Sequence, residues 1–136
     1  MFIDEIDYKT RMMAMLETPM EIERAYQLCE EVFVQYGLDR YLLVLNDYSL
    51  SVILNYLNVR TSILLNRNEF ERAWQPILLF EQYASNRMIP INMEGIHRVL
   101  KAVLMARQGR SPEACDVLRE ALELRCTSDV RQRLLY

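Results

Sequence analysis

The chain has 136 residues and a formal net charge of -3 at neutral pH, and 51% of its residues are hydrophobic. This length can bury a core without disulfides or a metal, and this hydrophobicity excludes an intrinsically disordered chain. The acidic balance argues against a nucleic-acid-binding surface, which needs clustered positive charge. With only three glycines and four prolines, the sequence predicts long helices joined by short turns.

The amino terminus and the cysteines bear on where the protein works. Residues Met1–Asp7 are acidic where a signal peptide would be positively charged, and the longest apolar runs, such as Tyr41–Leu45, are far too short to span a membrane. The three cysteines, Cys29, Cys115 and Cys126, are widely spaced and form no C-x-x-C pair, so neither a disulfide framework nor a zinc site is indicated. We expect a cytoplasmic protein without a cofactor and without a membrane partner.

The first predicted hairpin covers residues 3–36. Its first helix runs over about Ile3–Glu17, and a break at Thr18-Pro19 separates it from a second helix. In that second helix the apolar residues from Ala25 to Tyr36 follow an i, i+3, i+4, i+7 pattern, which is typical of an amphipathic helix. Segment 39–47 follows and is an extra helical turn or a separate short helix. Periodicity alone would also allow a strand at Tyr41–Leu45, but it would have no partner, so we predict a helix.

Two further hairpins are predicted over residues 48–85 and 91–125, because the motif of the first one recurs. Glu23-Arg-Ala-Tyr-Gln27 returns as Glu71-Arg-Ala-Trp-Gln75 and, more loosely, as Pro112-Glu-Ala-Cys-Asp116. Equivalent places in the repeats make Tyr26 and Trp74 core or hairpin-interface residues, and Pro76 is expected to kink its helix.

The turns that precede these second helices differ between the copies. Asn68 and Gly109 stand five residues before the repeated alanine and tolerate the left-handed conformation that closes a helix, whereas Met20 does not. The sequence thus predicts one all-α domain over residues 1–136, built from tetratricopeptide-like hairpins stacked in a right-handed superhelix.

Residues Asn86–Arg125 resemble a known family, the large LuxR-type bacterial transcriptional activators of the maltose-regulon-activator-like group. The similar pieces are Ala102-Val-Leu-Met-Ala-Arg-Gln-Gly-Arg-Ser-Pro-Glu-Ala114 and Leu118-Arg-Glu-Ala-Leu-Glu-Leu124, which resemble the last repeat of the family's sensor region. Arg60–Gln82 is similar to the preceding repeat, and the resemblance covers about Ser49–Tyr136.

The resemblance implies a helical superhelix that binds an inducer or a regulatory protein, in a regulator that also has an ATP-binding module and a helix-turn-helix. This chain departs from that pattern, because it contains no Gly-x-x-x-x-Gly-Lys-Ser/Thr loop and no DNA-reading helix pair. If the resemblance holds, the chain is an excised piece or a stand-alone relative that kept only the sensing part, and this segment makes no direct nucleic-acid contact.

Residues for catalysis are scarce. The single histidine, His97, shares its side of a predicted helix with Glu94, Arg98 and Lys101, so a solvated surface position is predicted. A nucleophilic triad would need a base beside an activated Ser or Cys, and Cys115 lies on the next helix. One histidine with scattered carboxylates is also a poor metal site. We therefore predict that the chain is not an enzyme.

A polar stripe on the middle hairpin's first helix is the candidate binding surface. It carries neither Lys nor Glu, although an ordinary solvent-facing helix surface favours them as better helix formers than Asn. Neutral amides and hydroxyls can hydrogen-bond a peptide backbone or sugar hydroxyls. The alternative is that the stripe is simply the wet face of an amphipathic helix. Its members are Tyr48, Ser51, Asn55, Asn58, Ser62 and Asn66.

Arg60 lies on the opposite side of that helix, among apolar residues, where a guanidinium needs a carboxylate or a carbonyl cluster. We predict a salt bridge to a neighbouring helix, through Glu23, Glu69 or Glu71, rather than ligand binding.

The sequence as a whole predicts a regulatory sensor module whose groove takes up a small-molecule inducer or a protein or peptide partner. The alternatives are a stand-alone interaction adaptor or secretion-type chaperone that holds a partner peptide, and a structural piece that self-associates. A homodimer is predicted because the first helix presents apolar residues with little charge between its methionines. The alternative to a homodimer is that this helix folds back on Ala25–Tyr36 and buries its own methionines. The apolar residues are Phe2, Ile3, Ile6, Met12, Met13 and Met15.

Overall fold

The structure, a computed structural model, describes residues 2–39 and 46–135, with side chains described as far as residue 123. The described residues form six α-helices and no strand, so the all-α fold class is confirmed. The helices are α1 (Phe2–Met15), α2 (Ile22–Gln35), α3 (Asp47–Asn66), α4 (Phe70–Ala84), α5 (Ile91–Arg107) and α6 (Ser111–Leu135). The predicted helix at Tyr41–Leu45 lies outside the described residues, and the superhelical stacking and the single domain stay predictions.

Four helices are followed, two residues after their last residue, by a residue with left-handed backbone conformation. Gly37, Asn68, Asn86 and Gly109 have φ angles of 60°, 61°, 60° and 78°, which confirms the prediction for Asn68 and Gly109. In the turn after α3, the Glu69 N–H donates to the Leu64 carbonyl at 2.9 Å and the Asn68 N–H to the Leu65 carbonyl at 3.0 Å. This pair of bonds is a Schellman motif, which satisfies carbonyls that a helix end leaves without partners. Met20 lies in a turn without a positive φ, as predicted.

The four helices of the first compact unit, Met1–Met88, are centred on α3. This helix contacts α1, α2 and α4, and 13 of its 20 residues are buried. Its neighbours contribute apolar side chains spaced three or four residues apart, and each Leu or Ile that is fully buried stabilises the fold by about 1.5–3 kcal/mol. α4 continues through Pro76, which is buried.

α1 buries one face and exposes the opposite one. Ile3, Ile6 and Met13 are buried, so the prediction that all the apolar residues of the first helix are presented at the surface is wrong for these three. They fall on the single helix face that packs on α2, as the alternative predicted, and also on α3, which it did not predict. Met12 and Met15 remain exposed, and Met15 keeps 81% of its accessible surface.

The second compact unit, Ile89–Tyr136, is a hairpin of α5 and α6, and α6 extends beyond the predicted end at residue 125. His97 is only 4% exposed, so its predicted surface position is wrong. The charged side of α5 faces α6 rather than solvent, because Arg98 pairs with Glu94 at 3.2 Å on its own helix and with Glu120 at 2.6 Å on α6. Among the helices described in either unit, none combines the length and the apolarity needed to cross a membrane.

Candidate binding surface on α3

One strip of α3 stays partly accessible although the helix is packed on several sides. Ser51, Asn55 and Ser62 are half-buried and Asn66 is exposed, and Val59 joins them at the same helical spacing. We call Tyr48, Ser51, Asn55, Ser62 and Asn66 the α3 strip. All five side chains lie within about 60° of arc at 3.6 residues per turn, and all five are uncharged.

Asn58 was predicted as part of this surface, but it is 5% exposed and lies in the interior. It is about 60° of arc from Asn55, at the edge of the polar stripe, where neighbouring helices already cover α3. Its amide therefore belongs to the packing of the unit, and Asn58 is a poor position at which to test surface binding.

Hydrogen bonds near both ends of the α3 strip join it to α1 and the turn after it. The Tyr48 hydroxyl donates to Asp4 Oδ1 at 3.0 Å, and the Ser62 hydroxyl donates to Glu17 Oε2 at 3.0 Å. The first bond joins the start of α1 to the start of α3, and the second joins the turn after α1 to the last turns of α3. The two helices therefore run side by side in the same direction. α1 therefore lies directly beside the α3 strip.

The edge of α1 that lies beside the α3 strip is charged. Asp4 accepts the Tyr48 hydrogen bond, and this bond raises the pKa of the Tyr48 phenol above its usual value. Asp7 and Arg11 also act on Tyr48, and they form a salt bridge with each other at 3.1 Å. Of the charged side chains named along this edge and in the turn after α1, Asp4, Asp7 and Glu17 are acidic and Arg11 is basic.

Glu17 is the functional candidate that the sequence did not reveal. Its Oε2 accepts the Ser62 hydrogen bond, but its Oε1 is buried and has no hydrogen-bond partner. Burial raises the pKa of this carboxyl, and the Ser62 hydrogen bond opposes that shift. In the sequence Glu17 merely ends the first predicted helix, a place where a carboxylate is ordinary.

Arg60 makes the predicted salt bridge, but its partner is a different glutamate. Its Nη1 lies 2.8 Å from Glu30 Oε1 of α2, and its Nη2 donates to Gln75 Oε1 of α4 at 3.2 Å. The guanidinium also covers the Phe33 ring, with its central carbon 4.1 Å from the ring centroid. Arg60 therefore joins three helices of the first unit, and its role is structural.

Two of the predicted partners, Glu23 and Glu69, pair with Arg67 instead, at 3.5 Å and 3.1 Å. Arg67 lies over the Tyr26 ring at 3.4 Å, and Arg72 donates to the Tyr26 hydroxyl at 2.7 Å. This confirms Tyr26 as a residue of the interface between the first two hairpins.

Cys29 is buried, and burial raises the pKa of its thiol, which keeps it in the poorly nucleophilic protonated form. Across the described ranges 2–39 and 46–135, no group of three or more His, Cys, Asp or Glu side chains is placed to hold a metal ion.

Comparison with known proteins adds no relative, because no family model, no curated protein and no solved structure matches this chain.

Proposed function

We propose that this chain is a non-enzymatic helical-repeat binding module that takes up a segment of a partner protein on the α3 strip. In the regulatory setting that the LuxR-type resemblance implies, binding there would be the sensed event. An adaptor or a secretion-type chaperone would use the same surface, and only the consequence of binding would differ.

The composition of the α3 strip is the observation that carries this proposal. A central helix that is mostly buried keeps one accessible line of side chains, and apart from Val59 that line holds amides and hydroxyls instead of the Lys and Glu typical of solvent-facing helices. Each Asn weakens the helix by about 0.3 kcal/mol relative to Lys or Glu. Uncharged donors and acceptors pair with peptide groups without demanding a charge from the ligand.

The length of the α3 strip favours an extended peptide over a small inducer. Ser51 and Asn66 are about 22 Å apart along the axis at 1.5 Å per residue. An extended chain of about seven residues spans this distance. A peptide of that length can contact Ser51, Asn55 and Asn66 at once.

Selection from a library of random-sequence heptapeptides tests the proposal. The best binders are labelled, and their affinities are compared by fluorescence anisotropy for the wild type and the double variant Asn55→Ala, Asn66→Ala. Two lost hydrogen bonds of about 0.5–1.5 kcal/mol each predict a loss of about tenfold in affinity. The melting temperature should stay nearly unchanged, because neither side chain is buried.

The matched control removes two exposed amides elsewhere, in the double variant Gln27→Ala, Gln82→Ala on α2 and α4, and it should bind like the wild type. The proposal is wrong if no heptapeptide binds, or if the Asn55, Asn66 double variant binds the selected peptides with wild-type affinity.

A further inference from the structure

We infer that copies of this chain associate head to tail, with the outer face of α1 in one copy packing on an apolar pair of α6 in the next copy. The outer face of α1 comprises Tyr8, Met12 and Met15, and the α6 leucine pair comprises Leu118 and Leu122. This inference goes beyond the proposed function, because it concerns neither the α3 strip nor its ligand.

The packing of α3 on α2 supplies the template for this contact. The Tyr56 hydroxyl donates to the Cys29 carbonyl at 2.7 Å, and the Arg60 guanidinium lies 4.1 Å from the centroid of the Phe33 ring. Arg60 also pairs with Glu30 at 2.8 Å. On each helix the two main contact residues are four positions apart, which places them as neighbours on one helix face.

The repeated motif places the α6 leucine pair at the α2 positions of this template. In the register of that motif, Cys29 corresponds to Leu118 and Phe33 corresponds to Leu122. α3 contacts both α2 residues, and both are buried, whereas Leu118 and Leu122 are 39% and 63% exposed. α6 therefore presents an apolar pair at positions that another helix covers in α2.

The outer face of α1 occupies the α3 side of the same template. The first residues of α2 and α4 are equivalent in the motif register, and the same register, continued back without an insertion, aligns Tyr8 with Tyr56 and Met12 with Arg60. Tyr56 and Arg60 are fully buried, whereas Tyr8 and Met12 are exposed. Met15 is also exposed and continues this face by about one turn.

The residues that differ between the template and the proposed contact are compatible with each other. Met12 and Arg119 stand where the template has the ion pair between Arg60 and Glu30. Like charges therefore do not meet at this place, and the flexible side chain of methionine adapts to irregular apolar surfaces. Arg119 is exposed, so its aliphatic stem can lie over Met12 while its charge stays in water.

A head-to-tail contact joins two different surfaces, unlike the contact of a symmetric dimer. Each pairing leaves one α1 face and one α6 leucine pair available, so copies add in an open series or close into a ring. Helical repeats contact their nearest neighbours, and a further copy would be added as a further hairpin is. Two helix faces bury less than the about 1,200 Å² of stable complexes, so we expect weak association.

Sedimentation velocity of the full chain tests the inference with one variant for each surface. Met12→Arg places a positive charge opposite Arg119 and disables the α1 face, and Leu122→Glu disables the α6 leucine pair. Each variant should self-associate about tenfold more weakly than the wild type, or worse. Both positions are exposed, so the melting temperatures should match that of the wild type.

A mixture of the two variants separates a head-to-tail contact from a symmetric one. Met12→Arg keeps an intact α6 leucine pair and Leu122→Glu keeps an intact α1 face, so the mixture should form a heterodimer and nothing larger. A second variant rebuilds the ion pair of the template. Met12→Arg combined with Arg119→Glu in one chain should restore self-association, because the two residues then match Arg60 and Glu30.

The matched control is Val34→Glu, which charges an exposed apolar residue of α2 outside both surfaces and should associate like the wild type. The inference is wrong if the wild type stays monomeric over about a hundredfold range of concentration. It is also wrong if Leu122→Glu associates like the wild type, or if the mixed variants stay monomeric. Heptapeptides should bind all these variants equally, so a failure here leaves the α3 strip untouched.

Discussion

Replacing Arg60 should destabilise the first unit more than replacing any exposed arginine. Arg60 is only 1% exposed and is the largest of the fully buried residues that the structure describes. It pairs with Glu30, donates to Gln75 and lies over the Phe33 ring, so it connects α2, α3 and α4. Arg60→Ala removes all three contacts and leaves a cavity, and the free energy of unfolding should fall.

The magnitude follows from what remains after the substitution. Removing one partner of a buried ion pair costs about 3–5 kcal/mol when the other charge is left alone. Here Glu30 keeps Arg72 at 2.9 Å, so it is not orphaned. We therefore expect the lower end of the range, about 3 kcal/mol, for Arg60→Ala. Arg60→Met keeps an apolar stem over Phe33 and removes the cost of burying a charge, so it should cost about 1 kcal/mol.

Urea unfolding followed by tryptophan fluorescence measures this loss in the relevant unit, because the single tryptophan, Trp74, lies in α4. The control is Arg24→Ala, which breaks an exposed pair with Glu21 and should cost less than about 0.5 kcal/mol. The reasoning is refuted if Arg60→Ala costs no more than Arg24→Ala. It is also refuted if Arg60→Met costs as much as Arg60→Ala, because the charge would then matter more than the packing.

Three further predictions concern a turn, a thiol and a surface. Asn68→Ala should lower the free energy of unfolding by about 1 kcal/mol because of its positive φ, whereas Asn68→Gly should be tolerated, both measured by the same urea unfolding. In a chain whose other cysteines are replaced by serine, Cys29 should react with a thiol reagent only after urea is added, and rapid labelling of the folded protein would contradict its burial. We also expect self-association through the exposed outer face of α1, so Met12→Lys with Met15→Lys should shift sedimentation toward the monomer. A wild-type chain that sediments as a 16.2 kDa monomer would disprove this.

The features that the sequence predicted well are those that depend on local chemistry. Asn68 and Gly109 were identified because few residues adopt a positive φ, and both have one. Arg60 was recognised as needing a counterion because it interrupts an apolar helix face, and that contrast is visible without coordinates. The helices themselves follow from periodicity and from the scarcity of turn formers.

Accessibility was harder to predict, because it depends on which side of a helix its neighbours cover. His97 shares a charged arc of α5 that looks solvated in the sequence, yet this arc faces α6. Asn58 belongs to the same polar stripe as Asn55, but α3 is contacted by three helices and the edge of the stripe is covered. Periodicity fixes the arc that a residue occupies and leaves open what packs against it.

Glu17 and Arg60 together show why one buried charge was found from the sequence and the other was not. An arginine inside an apolar helix face is anomalous in its immediate surroundings, so the need for a partner follows from neighbouring residues alone. A glutamate that ends a helix before Thr18-Pro19 is ordinary there, and its energetic cost arises only when the turn folds against α3 and Ser62. The paired charge of Arg60 holds three helices together, whereas folding leaves the Glu17 carboxylate with a hydrogen bond from Ser62 and no counterion among the described residues.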